Sequence, residues 1–299
     1  MNKGAWYVLL SGVMWGALSI FWKQLGWMDP VYVLFSRIVW SLVFGGAVLL
    51  AQGRMRETLA LLRDRKIKWT LIAAGVVIAC NWCLYIYAIS IGQIMQASLA
   101  YYISPILSIV LAALVFREKL NPLQWLAAGI ASAGVLISIF YYGEVPFLAL
   151  AMGASFSVYG MIKKAVAQIR GEASAFLELL YIAPVAVIGL IVWEAQGKGI
   201  FGIQPDWRMI LLPLTGVATG VPLMLFAHGL ETAPLSLSGI LNFANPTLQL
   251  VLSVLLFGEA FTKASLITFV LVWVALILFV VGNMAKNRKA LSLTEESAA

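Results

Sequence analysis

Apolar side chains run almost unbroken along this chain. No Asp, Glu, Lys, Arg or His occurs between Trp69 and Phe116 or between Leu120 and Gly143, and charge-free runs of this length read as membrane spans rather than buried core helices. A helix rises 1.5 Å per residue, so about 20 residues cross a hydrocarbon core about 30 Å thick. Cut into that unit, the runs predict ten spans, at about 5–22, 31–51, 69–89, 95–116, 123–141, 145–162, 174–194, 209–228, 235–257 and 264–284. The segments are apolar all round, which opposes a β-barrel, whose strands alternate apolar and polar positions over roughly ten residues. The expected class is an all-α polytopic membrane protein.

Composition agrees: 62% of residues are hydrophobic and 11% charged, against about 25% charged in soluble domains. The net charge of +7 does not call for a nucleic-acid partner, because the basic residues sit in short segments between spans, where they set orientation. With the N-terminus inside, the inner segments hold Lys3; Arg54, Arg56, Arg63, Arg65, Lys66 and Lys68; Arg117 and Lys119; Lys163, Lys164 and Arg170; and Lys286, Arg288 and Lys289. The outer segments hold only Lys23, Lys198, Arg208 and Lys263. That bias predicts both termini in the cytoplasm and a cytoplasmic (inner) membrane. The first apolar stretch lacks an A-x-A-like cleavage site and is read as a retained span, not a signal peptide. Cys80 and Cys83 lie in apolar surroundings on span 3 and read as packing thiols.

The sequence matches itself at a constant offset of 141 residues. Gly12, Lys23, Phe35, Gly75, Leu84, Pro105, Leu107, Val110, Phe116 and Glu118 recur as Gly153, Lys164, Phe176, Gly216, Leu225, Pro246, Leu248, Val251, Phe257 and Glu259. Trp15 answers to Phe156 and Trp40 to Tyr181. Five spans per repeat is an odd number, so the second copy enters the membrane from the opposite side. The expected organisation is a five-helix repeat over 1–141, a second, inverted five-helix repeat over 142–285, and a cytoplasmic tail over 286–299. Inverted repeats mark secondary transporters that bind substrate near the midplane; a duplicated scaffold is the alternative.

Several polar residues lie inside these spans. Arg37, about one and a half turns into span 2, must pair, reach the interface or line water, and its planar donor fork suits a carboxylate or other anionic group. Asn81 and Tyr85, one turn apart on span 3 beside Trp82, suit a flat amphipathic organic substrate. Span 9 carries Ser238, Asn242, Asn245, Gln249 and Ser253 on one face, and the offset sets Asn242 against Tyr101 of span 4. Tyr101, Asn242 and Asn245 are the cavity candidates of that pair, with interhelical hydrogen bonding as the alternative. Pro105 and Pro246 each remove a helix hydrogen bond at matched points, as gating hinges or as static kinks. Glu178 is the repeat mate of Arg37, at the opposite depth, and is a candidate carrier of a coupling proton. His228, the single histidine, is a second candidate because imidazole titrates near neutrality; an interfacial role is the alternative. Glu118 and Glu259, at the turns after spans 4 and 9, read as anchors or caps for the helices that follow them.

RIVWS at 37–41, NWCLYIYA at 81–88, QASLAYYISPILSIVLAALVFREKL at 96–120, KKAVAQIRGEASAFLELLYIAP at 163–184 and LNFANPTLQLVLSVLLFGEAF at 241–261 resemble the RarD group of the EamA-type drug/metabolite transporter superfamily. The resemblance covers nearly the whole chain. It implies ten helices in two inverted five-helix repeats, and a permease or chloramphenicol-sensitivity protein. Arg37, Trp40, Asn81, Trp82, Tyr101 and Pro105 match positions of the family's motifs. The expected function is a secondary transporter moving a small organic metabolite or drug outward by alternating access, with protons as candidate coupling ions. Uptake by the same fold is the alternative. No Walker A pattern occurs, Asp29, Asp64 and Asp206 fall in loops, and one histidine cannot form H-E-x-x-H, so neither ATP hydrolysis nor an enzyme is expected, and no cofactor or metal.

Overall fold

The computed structural model describes residues 3–90, 94–142, 147–200, 207–257 and 263–296. The described residues are helical or in turns, without a strand. Helices α1 (Lys3–Ala17) and α2 (Ser19–Gln24) form one span with a slight break at Leu18. There the Ser19 hydroxyl donates back to the Gly16 carbonyl at 2.9 Å, the kind of back-bond that bends helices. Helix α3 (Pro30–Ala51) starts on Asp29, whose carboxylate accepts from the Val31 and Tyr32 amides, with Pro30 in the first helical position, where a missing N–H is harmless. A short α4 (Met55–Ala60) leads to α5 (Arg65–Ser90), α6 (Ile94–Val115) and α7 (Pro122–Tyr142). The second half contains α8 (Phe147–Ala165), α9 (Gly171–Ala195), α10 (Leu211–Thr232), α11 (Leu235–Leu241), α12 (Ala244–Phe257) and α13 (Lys263–Glu296).

Among the described residues, seven helical stretches are long and apolar enough to cross a membrane: Lys3–Gln24, Pro30–Ala51, Arg65–Tyr85, Gly171–Ala195, Leu211–Thr232, Leu235–Leu256 and Leu266–Ala285. Shorter apolar stretches cover Ala100–Val115 and Pro122–Ile137. Large apolar side chains such as Leu114, Phe140 and Leu255 stand fully outward on the bundle, an arrangement suited to hydrocarbon surroundings and not to water. The protein is a multi-pass helical membrane protein.

The packing scheme follows the 141-residue offset. Helix α7 packs along α13, α3 along α9, and α6 against α11; in each case the partners are repeat mates. Most of the other main contacts come in matched pairs: α6 with α8 and α1 with α11 and α12; α5 with α8 and α1 with α10; α5 with α9 and α3 with α10. Exchanging the halves leaves most of this scheme unchanged; the exception is α9 with α10, which pack closely where their mates α3 and α5 barely touch. Glycines allow the closest approaches. A Cβ at Gly75 would lie 2.5 Å from the Glu178 carbonyl oxygen, and one at its mate Gly216 would collide with the Trp40 carbonyl. At both positions one helix touches the backbone of the next.

Two local expectations need correcting. The matched prolines act differently: α6 runs unbroken through Pro105, whereas the span carrying Pro246 is interrupted at Asn242 and Phe243. Pro246 has no N–H for the Asn242 carbonyl four residues back and crowds it; that carbonyl instead accepts from the Asn245 amide at 3.1 Å, a tighter turn. The helix after Glu118 is not capped by Glu118. Asn121 and Gln124 form a reciprocal cap on α7, and Glu118 reaches across to accept from the Leu235 and Ser236 amides and the Ser236 hydroxyl at the start of α11. Glu259 and the Ser253 side chain lie outside the described residues.

Candidate functional site

Seven residues after the Pro30 start, about 10 Å along α3, Arg37 projects between two indoles. Its guanidinium carbon lies 4.1 Å from the ring centre of Trp82 on α5 and 4.8 Å from that of Trp22 on α2. Its Nε is sealed from solvent and has no hydrogen-bond partner. No carboxylate pairs with Arg37 among the described residues; the polar groups it faces are the Tyr85 and Tyr101 hydroxyls. Indole faces attract a guanidinium without neutralising it. An open cation is thus held in an aromatic cage.

Beside this cage a small cavity lies between α5, α6 and α8, lined by Asn81, Tyr85, Tyr101, Ser104, Met152 and Phe156. It has room for about one water molecule, so an organic solute enters only when the helices part. The Tyr85 and Tyr101 rings lie 6.3 Å apart across it. Asn81 donates both amide hydrogens to α8, to the Met152 carbonyl at 2.8 Å and the Ser155 hydroxyl at 2.9 Å. What its side chain can still offer a ligand is an acceptor oxygen. The Ser157 hydroxyl, donated to the Ser104 carbonyl at 2.7 Å, closes the α6–α8 contact below. Sequence reasoning placed Arg37, Asn81, Trp82, Tyr85 and Tyr101 together as candidates, and the fold brings these five into one neighbourhood.

The remaining candidates sit elsewhere. Asn242 and Asn245 are buried where α11 and α12 meet α1: a Cβ on Gly12 would lie 3.6 Å from the Asn242 Oδ1, and the Asn245 Oδ1 accepts from Gln249 at 2.9 Å. The cavity is lined from α5, α6 and α8 alone, so Tyr101 lines it and its repeat mate Asn242 on the other half does not. Trp40 is partly exposed on the bundle surface and contributes its backbone carbonyl to the Gly216 contact. Pro105 lies one turn below Tyr101 on α6.

Beyond the cavity, towards the end of the bundle where α3 finishes, repeat mates Trp15 and Phe156 meet edge to face at 5.6 Å. Phe226 and Tyr159 pack on the same cluster, with ring centroids 5.6 to 6.1 Å apart. Glu178 lies beneath it. It is not the free carboxylate that a proton carrier suggests: Lys163 pairs with it at 2.9 Å, Tyr159 donates to it at 2.8 Å, and Ser174 contacts the Lys163 ammonium. The two charged side chains are 1% and 0% accessible. Lys163, counted in the sequence among the basic residues of an inner segment, is therefore a buried partner. His228 is likewise engaged, its two ring nitrogens each 2.7 Å from a carboxylate, Glu172 and Glu231. Glu231 also caps α9 through the Gly171 amide, and Gln52 donates to Glu172, so His228 staples α3, α9 and α10. Outside the spans at the same end, Arg54 and Glu57 hydrogen-bond at 3.1 Å, which raises the arginine and lowers the glutamate from their ordinary pKa values.

Sequence reasoning missed Trp22, Lys163 and Tyr159. The offset contained the signal for two of them. It pairs Arg37 with Glu178 and Trp22 with Lys163, so the partner of Arg37 in one half predicts the partner of Glu178 in the other.

Comparison with known proteins gives a consistent result. The profile of the EamA-like transporter family matches residues 2–140 and again 145–281. An uncharacterized transporter of Bacillus subtilis, YojE, is 35% identical over 97% of this chain and 98% of its own. Protein RarD of Streptomyces exfoliatus is 35% identical over 95% of this chain and 90% of its own, and protein RarD of Escherichia coli is 29% identical over 96% and 97%. A crystal structure of a protein 18% identical superimposes with a TM-score of 0.72, covering 93% of this chain and 97% of that one, which speaks to the fold alone.

Proposed function

The chain belongs to the EamA-like transporter family and is a RarD-type membrane transporter, not an enzyme; from that premise we propose that it moves a small organic metabolite or drug across the cytoplasmic membrane by alternating access, in the export direction. The observation that carries this reading is the open Arg37 cage beside a closed cavity, with the bundle sealed beyond it. Substrate contacts come from Arg37, Trp82, Asn81, Tyr85 and Tyr101. The break at Pro246 is the hinge, and Pro105, inside the continuous α6, is its mate in the other half.

In this reading ten spans form two inverted five-helix halves, 1–141 and 142–285, with both termini and the tail 286–299 in the cytoplasm. The packing scheme, largely preserved on exchange of the halves, supports it, as does the contact between mates Trp15 and Phe156. Arg37 then lies towards the outer face, and the aromatic cluster, the Lys163–Glu178 pair and the His228 staple close the inner face. Opening inward requires the mates of these contacts to form on the outer side, which is how inverted halves alternate access. Glu178 and His228 serve in this scheme as inner locks. Uptake through the same site is the second direction the geometry permits, and the charge of the cargo decides between them.

The test is solute flux into proteoliposomes. Saturable counterflow of an unmodified solute, weakened in Arg37→Gln and Asn81→Ala proteins that still insert, is the expected result. Wild-type flux from both well-folded variants overturns the site assignment.

A further inference from the structure

Equivalent positions in the two halves hold opposite arrangements of charge. In the second half, Glu178 and Lys163 close an ion pair that is neutral and sealed. In the first half, the same two positions are Arg37 and Trp22. Here the cation meets an indole where its counterpart meets an ion, and Trp82 covers its other face. Arg37 therefore keeps a full positive charge inside the spanning region, with its Nε unsatisfied and no carboxylate partner among the described residues. Uncompensated charge at that depth is unfavourable, and such residues pair with one another or line a pathway. Among the described residues, one negative charge is missing from this site.

Resting on the transporter reading, we propose that the cargo is a small organic monoanion, a carboxylate whose charge completes the Arg37 site and leaves the loaded transmembrane core neutral. A cation is repelled by Arg37. A neutral solute leaves the guanidinium unpaired. A dianion brings a second charge, and Lys163, the one fully buried cation among the described residues, is already engaged by Glu178. The fork geometry of arginine matches a carboxylate with two parallel hydrogen bonds. The body of the solute faces the Tyr85, Tyr101 and Phe156 rings and the Asn81 amide, a lining suited to a flat apolar group bearing one acceptor or donor.

Direction follows from the same charge count. The loaded carrier crosses neutral, and the empty carrier returns with its arginine unpaired, so each net cycle of export moves one negative charge outward. An inside-negative potential of 100 mV then sustains an outward gradient of roughly 50-fold. Exchange of one monoanion for another moves no net charge and is indifferent to voltage.

The experiment uses the purified full chain in detergent at constant ionic strength. Butyrate, benzoate, phenylacetate and indole-3-acetate are compared with their amides, the corresponding amines, and the dianions succinate and phenylmalonate, reading the thermal transition. Monocarboxylates are expected to raise it, and amides, amines and dianions are not. Arg37→Gln should weaken the effective carboxylate by roughly 10- to 100-fold, Arg37→Lys should restore part of the loss, and Lys66→Gln, on an exposed surface, should leave it unchanged. An amide or amine that stabilises as well as its acid, a carboxylate effect that survives Arg37→Gln, or no stabilisation by any monocarboxylate overturns the monoanion inference. The effective carboxylate is then followed, radiolabelled, in proteoliposomes. Net flux that responds to a potassium-diffusion potential, beside exchange that does not, supports the inference. Binding without saturable flux overturns the transporter reading and leaves the charge assignment standing; saturable flux of a neutral solute does the reverse.

Discussion

Removing one partner of the Lys163–Glu178 pair should be far more damaging than removing both. The pair is inaccessible on both sides, closed at 2.9 Å, and joined by Tyr159 and Ser174. Lys163→Met leaves a buried carboxylate with only the Tyr159 hydroxyl, and Glu178→Met leaves a buried ammonium with only Ser174. An ion stranded in this way costs about 3–5 kcal/mol, whereas an apolar replacement of the whole pair is often neutral or stabilising. Unfolding entropy per residue implies that 1 kcal/mol moves the transition of a chain this long by about 1.5 °C. Each single variant is therefore expected to lose about 5–8 °C, and the double Met variant to lie within about 2 °C of wild type. The comparison is made at one scan rate, together with inactivation half-lives, so that it holds whether or not unfolding is reversible. Single losses that simply add in the double variant would refute the reasoning, since additivity means that neither charge depends on the other.

Asn81→Ala removes two hydrogen bonds between α5 and α8 and should reduce solute counterflow while costing about 1–3 kcal/mol of stability, read as a lower thermal transition. Pro246→Ala restores a donor for the Asn242 carbonyl and tends to heal the break between α11 and α12; turnover should change more than half-saturation, and a response confined to half-saturation counts against the hinge. Gly216→Ala drives a methyl into the Trp40 backbone and should lower the yield of folded protein, whereas Gly129→Ala on α7, with nothing within 4 Å, should match or exceed wild type by up to about 1 kcal/mol of helix propensity. Expression and thermal transition of the two glycine variants, measured side by side, check this contrast.

Hydropathy determined the class of fold, because whether a segment can lie in hydrocarbon depends on the composition of that segment alone. Run length was enough to mark a multi-pass helical protein, and the offset that relates Gly75 to Gly216 and Arg37 to Glu178 was legible for the same reason: it is a property of the string. Arg37, Asn81, Trp82, Tyr85 and Tyr101 stood out because polar or amphipathic groups are rare in such runs, and an unexplained charge inside a span asks for a partner. Which partner it has was decided only by packing. Trp22 reaches Arg37 because α2 continues α1 past the bend at Ser19, and Lys163 reaches Glu178 because only residues 166–170 separate the end of α8 from the start of α9. Glu118 caps a helix 117 residues further along the chain, and Asn242 faces Gly12 on α1 instead of the cavity that its mate Tyr101 lines. These contacts join segments whose own sequences do not refer to one another. They depend on helix rotation and depth, which are set by the sum of many small interhelical contacts and by the few glycines where backbones touch.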